Sequence, residues 1–98
     1  MIRLYQLEHC PWCAAARQAL ANVGAEYEAV EVPRDRAARD EVLELSGQRL
    51  VPVIVDGDTV VWDSRRIVRY LYSTYDPAAR ERSIAELPAD IGGIRKLA

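Results

Sequence analysis

The sequence predicts an α/β fold in which a mixed four-stranded sheet is flanked by helices, and three observations predict it. Short apolar runs alternate with segments whose apolar residues recur at helical spacing, in the order strand, helix, strand, helix, hairpin, helix, or βαβ followed by αββα. The first two strands are joined through a helix, which makes them parallel by a right-handed crossover. The last two are separated only by Asp56-Gly57-Asp58, a hairpin turn that makes them antiparallel.

Each element has its own signature. The apolar side chains of Ile2 to Leu7 read as a strand buried on both faces, ending at Glu8-His9. Cys10 then falls at a helix N-cap and Pro11 at N1, where its missing N–H costs nothing. Cys13, Ala16, Leu20 and Val23 recur along that helix and Gly24 stops it. Tyr27 to Val32 reads as a second strand ended by Pro33, and Asp35 as the cap of a helix running to about Ser46, with Gly47 as terminator. Leu50 to Val55 is apolar but contains Pro52, which a central strand tolerates only at its start. Thr59 to Trp62 is the returning strand. Asp63 or Ser64 caps a last helix with Ile67, Val68, Leu71, Tyr72 and Tyr75 on its face, ended by Asp76-Pro77. Residues 1–76 thus form one domain. Residues 77–98, broken by Pro88 and Gly92-Gly93, read as a partly ordered extension that lays a few apolar side chains on the body.

With 98 residues, half of them hydrophobic, the chain has enough material for a single core. Thirteen basic against fifteen acidic side chains give a net charge of −2, and the only dense basic cluster is Arg65, Arg66 and Arg69, so nothing points to nucleic acid as a partner. No stretch approaches a membrane span or the apolar core of a signal peptide, so the expected location is cytoplasmic and the expected state a monomer.

Cys10 and Cys13 are the only cysteines. At a helix N-terminus, free N–H groups and the helix dipole favour a thiolate at the first, and the second lies one turn on, within reach to resolve a mixed disulfide. A structural bridge closing so short a loop adds little stability. Zinc takes four ligands, and beyond this pair the chain has one histidine, His9, so no metal site is expected. Two inert buried thiols stay an open reading. The strand before the pair and the helix after it favour redox chemistry, while His9 reads as a loop histidine without a task.

Three motifs in this order resemble a known family. Cys10-Pro11-Trp12-Cys13 opening the first helix, Val51-Pro52 before the third strand and Asp63-Ser64 opening the last helix resemble the glutaredoxins. Val51 to Asp58 and Trp62 to Leu71 more narrowly resemble the N-terminal thioredoxin-fold domain of glutathione transferases. The resemblance covers about residues 1–76. It implies a thioredoxin fold, glutathione as partner and reductant, no tightly bound cofactor, and disulfide-containing proteins as substrates.

It also implies roles for particular residues. Pro52 is expected in a cis peptide, leaving the backbone of Val51 to pair with the cysteinyl part of glutathione; from the residues alone it is only a strand-edge proline. Ser64 is expected to meet the γ-glutamyl carboxylate and Asp63 the ammonium, a role compatible with capping the helix. Trp12 is expected to wall the thiol site. Many glutaredoxins have a lysine two residues before the first cysteine, where this chain has Glu8. Arg49 or Gln48 then becomes the candidate for the glycyl carboxylate, Arg49 offering the bidentate grip, though a solvated loop arginine fits that position equally. The 22 residues after Asp76 are too few for the helical second domain of a transferase.

The sequence therefore reads as a glutathione-dependent thiol–disulfide oxidoreductase with Cys10 as nucleophile and Cys13 as resolving thiol. The alternatives are a redox-inert glutathione-binding or iron–sulfur carrier module, and an oxidoreductase that uses another low-molecular-weight thiol.

Overall fold

The computed structural model describes residues 1–75 and 94–96. Strand β1 (Ile2–Gln6) leads into helix α1 (Pro11–Asn22), strand β2 (Tyr27–Glu31), a 3-10 turn (Arg36–Ala38) and helix α2 (Asp40–Ser46). Strands β3 (Val53–Asp56) and β4 (Thr59–Trp62), helix α3 (Ser64–Tyr75) and a short strand β5 (Ile94–Lys96) follow. The sheet order is β2-β1-β3-β4-β5. Strands β1 and β2 are parallel, with Ile2 opposite Tyr27, while β3 is antiparallel to both β1 and β4, with Leu4 opposite Ile54 and Ile54 opposite Val61. The first four strands form the mixed sheet that the sequence predicts. A fifth strand is an addition, pairing Val60 with Arg95 along the outer edge of β4. The expected helix end at Asp76-Pro77 and the apolar contacts expected of Ile84, Leu87 and Ile91 lie outside the described residues.

Period-two alternation divides the strand side chains between two cores, one on each face of the sheet. Ile2, Leu4, Ile54 and Val61 pack with Ala16, Ala19 and Leu20 of α1 and Ile67 and Leu71 of α3. Tyr5, Val53, Val55 and Val60 pack on the other face with Val32 and with Val42 of α2. The small alanines of α1 let that helix lie close against its neighbours. Gly24 and Gly47, at φ 68° and 77°, supply the left-handed residues that end α1 and α2. The hairpin is tighter than Asp56-Gly57-Asp58 suggests: Asp56 pairs with Thr59, leaving Gly57 at φ 62° and Asp58 as a two-residue loop. Tyr75, placed on the apolar face of α3 by spacing, is 40% exposed. Its hydroxyl and that of Tyr70 both donate to Asp56 Oδ2, at 2.6 and 2.8 Å, tying the helix end to the β3–β4 turn. Burial first and the Asp56 contact second raise both phenols, Tyr75 to about 12.

The predicted helix from Asp35 to Ser46 is in fact two pieces. Asp35 caps as expected, its Oδ1 accepting the Ala37 N–H at 3.0 Å, but only the 3-10 turn follows before Arg39 (φ −92°, ψ 57°) interrupts. The break exists because Arg39 is buried. At 4% exposure its guanidinium donates to three backbone carbonyls, Pro33 at 2.7 Å, Arg34 at 3.0 Å and Arg49 at 3.1 Å. It thereby fastens the segment after β2 to the loop that leads into β3. Replacing Arg39 by Met strands these carbonyls, and urea unfolding is expected to show a loss of roughly 2–4 kcal/mol, against under ~0.5 kcal/mol for the exposed Arg34→Met.

Candidate active site

The segments carrying the predicted site residues meet at one end of the sheet. Strands β1 and β4 are each antiparallel to β3 and so run the same way, and α1 and α3 both start from their C-terminal ends, where β3 begins.

Cys10 occupies the N-cap of α1 (φ −88°, ψ 122°). Its amide donates to Leu7 O at 3.2 Å and its carbonyl accepts from the Ala14 amide at 2.9 Å. Its sulfur is half-buried but accepts no capping hydrogen bond from the helix amides, which differs from the sequence reading that aims those amides at it. The neighbouring thiol of Cys13 is fully buried, and Cys10 lies close enough to act on it. Burial pushes the Cys13 thiol up to about 11, and the contact with Cys10 adds to this, while the Leu7 backbone and the charge of Arg17 pull it down. Both cysteines are free thiols.

An open cleft of about 640 Å³ is lined by Trp12, Gln48, Leu50, Val51, Pro52, Trp62, Asp63, Ser64 and the arginines 65, 66 and 69. Of the residues expected to bind, Trp12, Val51, Pro52, Asp63 and Ser64 share this cleft. Neither cysteine is among the lining residues; Trp12, which stands between them in the sequence, is, and Cys13 is fully buried. The Val51–Pro52 peptide is cis, as the resemblance implies. Trp12 is 66% exposed and Leu50 53%, so the rim is apolar and accessible.

Arg49 is not on the cleft. Its Nη1 donates to Ala37 O at 3.1 Å and pairs with Asp40 Oδ1 at 3.2 Å, because the loop lies against the 3-10 turn that Arg39 holds in place. Gln48 does line the cleft, yet its amide group serves its own turn: Nε2 donates to Ser46 Oγ and Leu50 O at 2.7 and 3.0 Å, and Oε1 accepts the Leu50 amide at 2.7 Å. Glu8 and His9 are exposed in the turn before Cys10.

Asp63 sits at φ 75°, a left-handed conformation that Asp adopts more readily than most non-glycine residues. Its carbonyl accepts the Ile67 amide at 3.0 Å and its Oδ2 pairs with Arg66 Nη1 at 3.0 Å, so it caps α3 through its backbone while its carboxylate is steadied by the next turn. Ser64 is buried at the first turn of that twelve-residue helix. Trp62, Leu50 and the arginines 65, 66 and 69 line the cleft without having been assigned to the site from the sequence; the dense basic cluster was the visible signal for the arginines.

A mixed α/β sheet with a dithiol at the start of its first helix and a cis-proline before its third strand defines the thioredoxin-like class. Within that class the chain belongs to the glutathione S-transferase N-terminal domain family, whose model matches residues 4–80. It is 37% identical over 62 residues to an uncharacterized glutaredoxin-like 8.6 kDa protein in the rubredoxin operon of Clostridium pasteurianum, covering 62% of this chain and 83% of that one. It is 30% identical over 53 residues to glutaredoxin 3 of Escherichia coli strain K12, covering 54% of this chain and 64% of that protein. Glutathione transferase E6 of Drosophila melanogaster superposes with a TM-score of 0.71 at 33% identity, covering 83% of this chain and 42% of that one. The chain thus spans less than half of the transferase structure. Among the described residues no helix is long and apolar enough to cross a membrane.

Cys13 holds its proton more tightly folded than an ordinary thiol does unfolded. The stability this contributes is complete below the ordinary thiol range and is lost as pH rises toward about 11. Urea unfolding between pH 7 and 10.5 is expected to show a steeper alkaline loss for the wild type than for Cys13→Ala. In the folded protein at neutral pH, iodoacetamide is expected to label Cys10 and spare Cys13.

Proposed function

We propose that the protein is a glutathione-dependent thiol–disulfide oxidoreductase of glutaredoxin type, working as a cytoplasmic monomer on protein disulfides and glutathione mixed disulfides. The observation that carries this reading is the asymmetry of the cysteine pair: one sulfur half-exposed at a helix start, the other buried against it. In the first step the Cys10 thiolate attacks a substrate disulfide, forming a Cys10 mixed disulfide and releasing one substrate thiolate, which takes up a proton. In the dithiol route Cys13 attacks Cys10 Sγ, displaces the second substrate thiol and leaves a Cys10–Cys13 disulfide. Two glutathione molecules then reduce that disulfide and leave as glutathione disulfide. In the monothiol route glutathione itself attacks the glutathionylated Cys10.

Residues 1–76 are the catalytic unit in this reading, with 77–98 an extension. The N-terminus of α3 receives the γ-glutamyl carboxylate at Ser64, the anion-binding property of any helix start, and Asp63 takes the ammonium. The Val51 backbone beside Pro52 faces the cysteinyl unit and Trp12 walls the thiol. Arg49 is withdrawn from the glycyl carboxylate, since its guanidinium is spent on the 3-10 turn and Asp40.

Cys10→Ser is expected to abolish turnover, whereas Cys13→Ser is expected to retain reduction of a small glutathione mixed disulfide in a coupled assay. Equal activity in the two variants would refute the nucleophile assignment. The double change Asp63→Ala, Ser64→Ala is expected to raise KM for the glutathione mixed disulfide about tenfold with kcat little altered, the signature of about 1.4 kcal/mol of uniform binding lost. An equal loss with a disulfide lacking a γ-glutamyl group would reduce the pair to a helix cap.

A further inference from the structure

Arg17 follows Cys13 by four residues on α1, one turn on and on the same helical face. It is half-buried, and its guanidinium is held by neutral oxygens: Nη1 donates to Gln6 Oε1 at 2.6 Å and Nη2 to the Glu8 carbonyl at 3.3 Å. Gln6, itself buried at the end of β1, turns its amide toward Glu31 of β2 at 3.5 Å. Glu31 also accepts the Glu8 amide at 2.9 Å. The arginine is therefore oriented by a chain of hydrogen bonds without an ion pair among the described residues, so no partner in direct contact neutralises its charge. Charged and titratable groups near this network are Glu8 and His9 in the turn before Cys10 and Glu31, which is separated from Arg17 by Gln6.

We propose that Arg17 is the positioning residue of the resolving step: Gln6 and the Glu8 carbonyl hold its guanidinium at the end of α1 that carries the buried Cys13, on the same helical face, where its charge favours the thiolate that attacks the Cys10 mixed disulfide. The inference rests on the oxidoreductase reading above. In that step the Cys13 Sγ–Cys10 Sγ bond forms, the bond from Cys10 to the substrate sulfur breaks, and the departing thiolate takes up the proton that Cys13 gave up. Arg17 supplies no proton and no electrons; it offsets the cost of placing negative charge on a buried sulfur. On Cys13 the push of burial is upward and dominant, and the Arg17 charge acts against it as a smaller influence, after the Leu7 backbone.

The test compares Arg17→Gln, which keeps a hydrogen-bond donor but not the charge, with Arg17→Lys, which keeps the charge. Reduced protein is mixed with a peptide disulfide in the absence of glutathione, quenched with acid at intervals, and the Cys10–peptide species followed by mass spectrometry. A smaller fraction of Cys13 thiolate in Arg17→Gln, partly offset by the higher nucleophilicity of the more basic thiolate, is expected to slow resolution. Arg17→Lys is expected to restore the rate. In a Cys10→Ala background, the thiolate absorbance of Cys13 is expected to rise at higher pH in Arg17→Gln than with Arg17 present, and to return with Lys. Resolution and titration both unchanged in Arg17→Gln overturn the proposal while leaving the oxidoreductase reading intact. Arg17→Lys as slow as Arg17→Gln also overturns it, by showing that packing and not charge was lost. A wild-type protein that forms no Cys10–peptide species overturns the oxidoreductase reading itself.

Discussion

The site depends on one feature of strand order: β3 lies between β1 and β4 and runs against both. That pairing sends β1 and β4 in the same direction, so the helices that follow them begin side by side, and the start of β3 arrives between them. Residues more than 50 positions apart, Cys10 and Ser64, come to one edge of the sheet for this reason. The chain needs no special loop to assemble them. Two helix starts on one edge also bring two positive dipole ends together there.

The corner at Asp63 shows how the fold turns from β4 into α3 within a single residue. A left-handed φ of 75° is costly for a residue with a Cβ, and such conformations persist where the surroundings over-determine them. Here the Ile67 amide on the carbonyl and Arg66 on the carboxylate supply that constraint. The opposite end of α3 is fastened by Tyr70 and Tyr75 on Asp56, so the helix is pinned at both ends to β3 and β4.

Most of this architecture was legible in the sequence because it follows from patterns that are local or alternate with a fixed period. Cys10-Pro11 marked the start of α1, Pro52 the start of β3, and the glycines 24, 47 and 57 the turns. Of the site, Trp12, Val51, Pro52, Asp63 and Ser64 came together as the motif order implied. What was not legible were side chains that act on distant backbone. Nothing near Arg39 announces that it will be buried among the carbonyls of Pro33, Arg34 and Arg49, and that burial is what splits the predicted helix and turns Arg49 away from the cleft. The fifth strand was missed because three residues beyond a glycine pair carry too little pattern to register as a strand.

The distribution of aromatic side chains has an optical consequence. The chain has two tryptophans and no phenylalanine, and Trp12 and Trp62 both line the cleft, while the two cores are built from aliphatic side chains and Tyr5. Indole emission from this protein therefore originates at the cleft lining, and it senses what enters there. Trp12 is exposed while Trp62 also packs against the core of Tyr5, Val53, Val55 and Val60, so on unfolding the change in emission comes chiefly from Trp62.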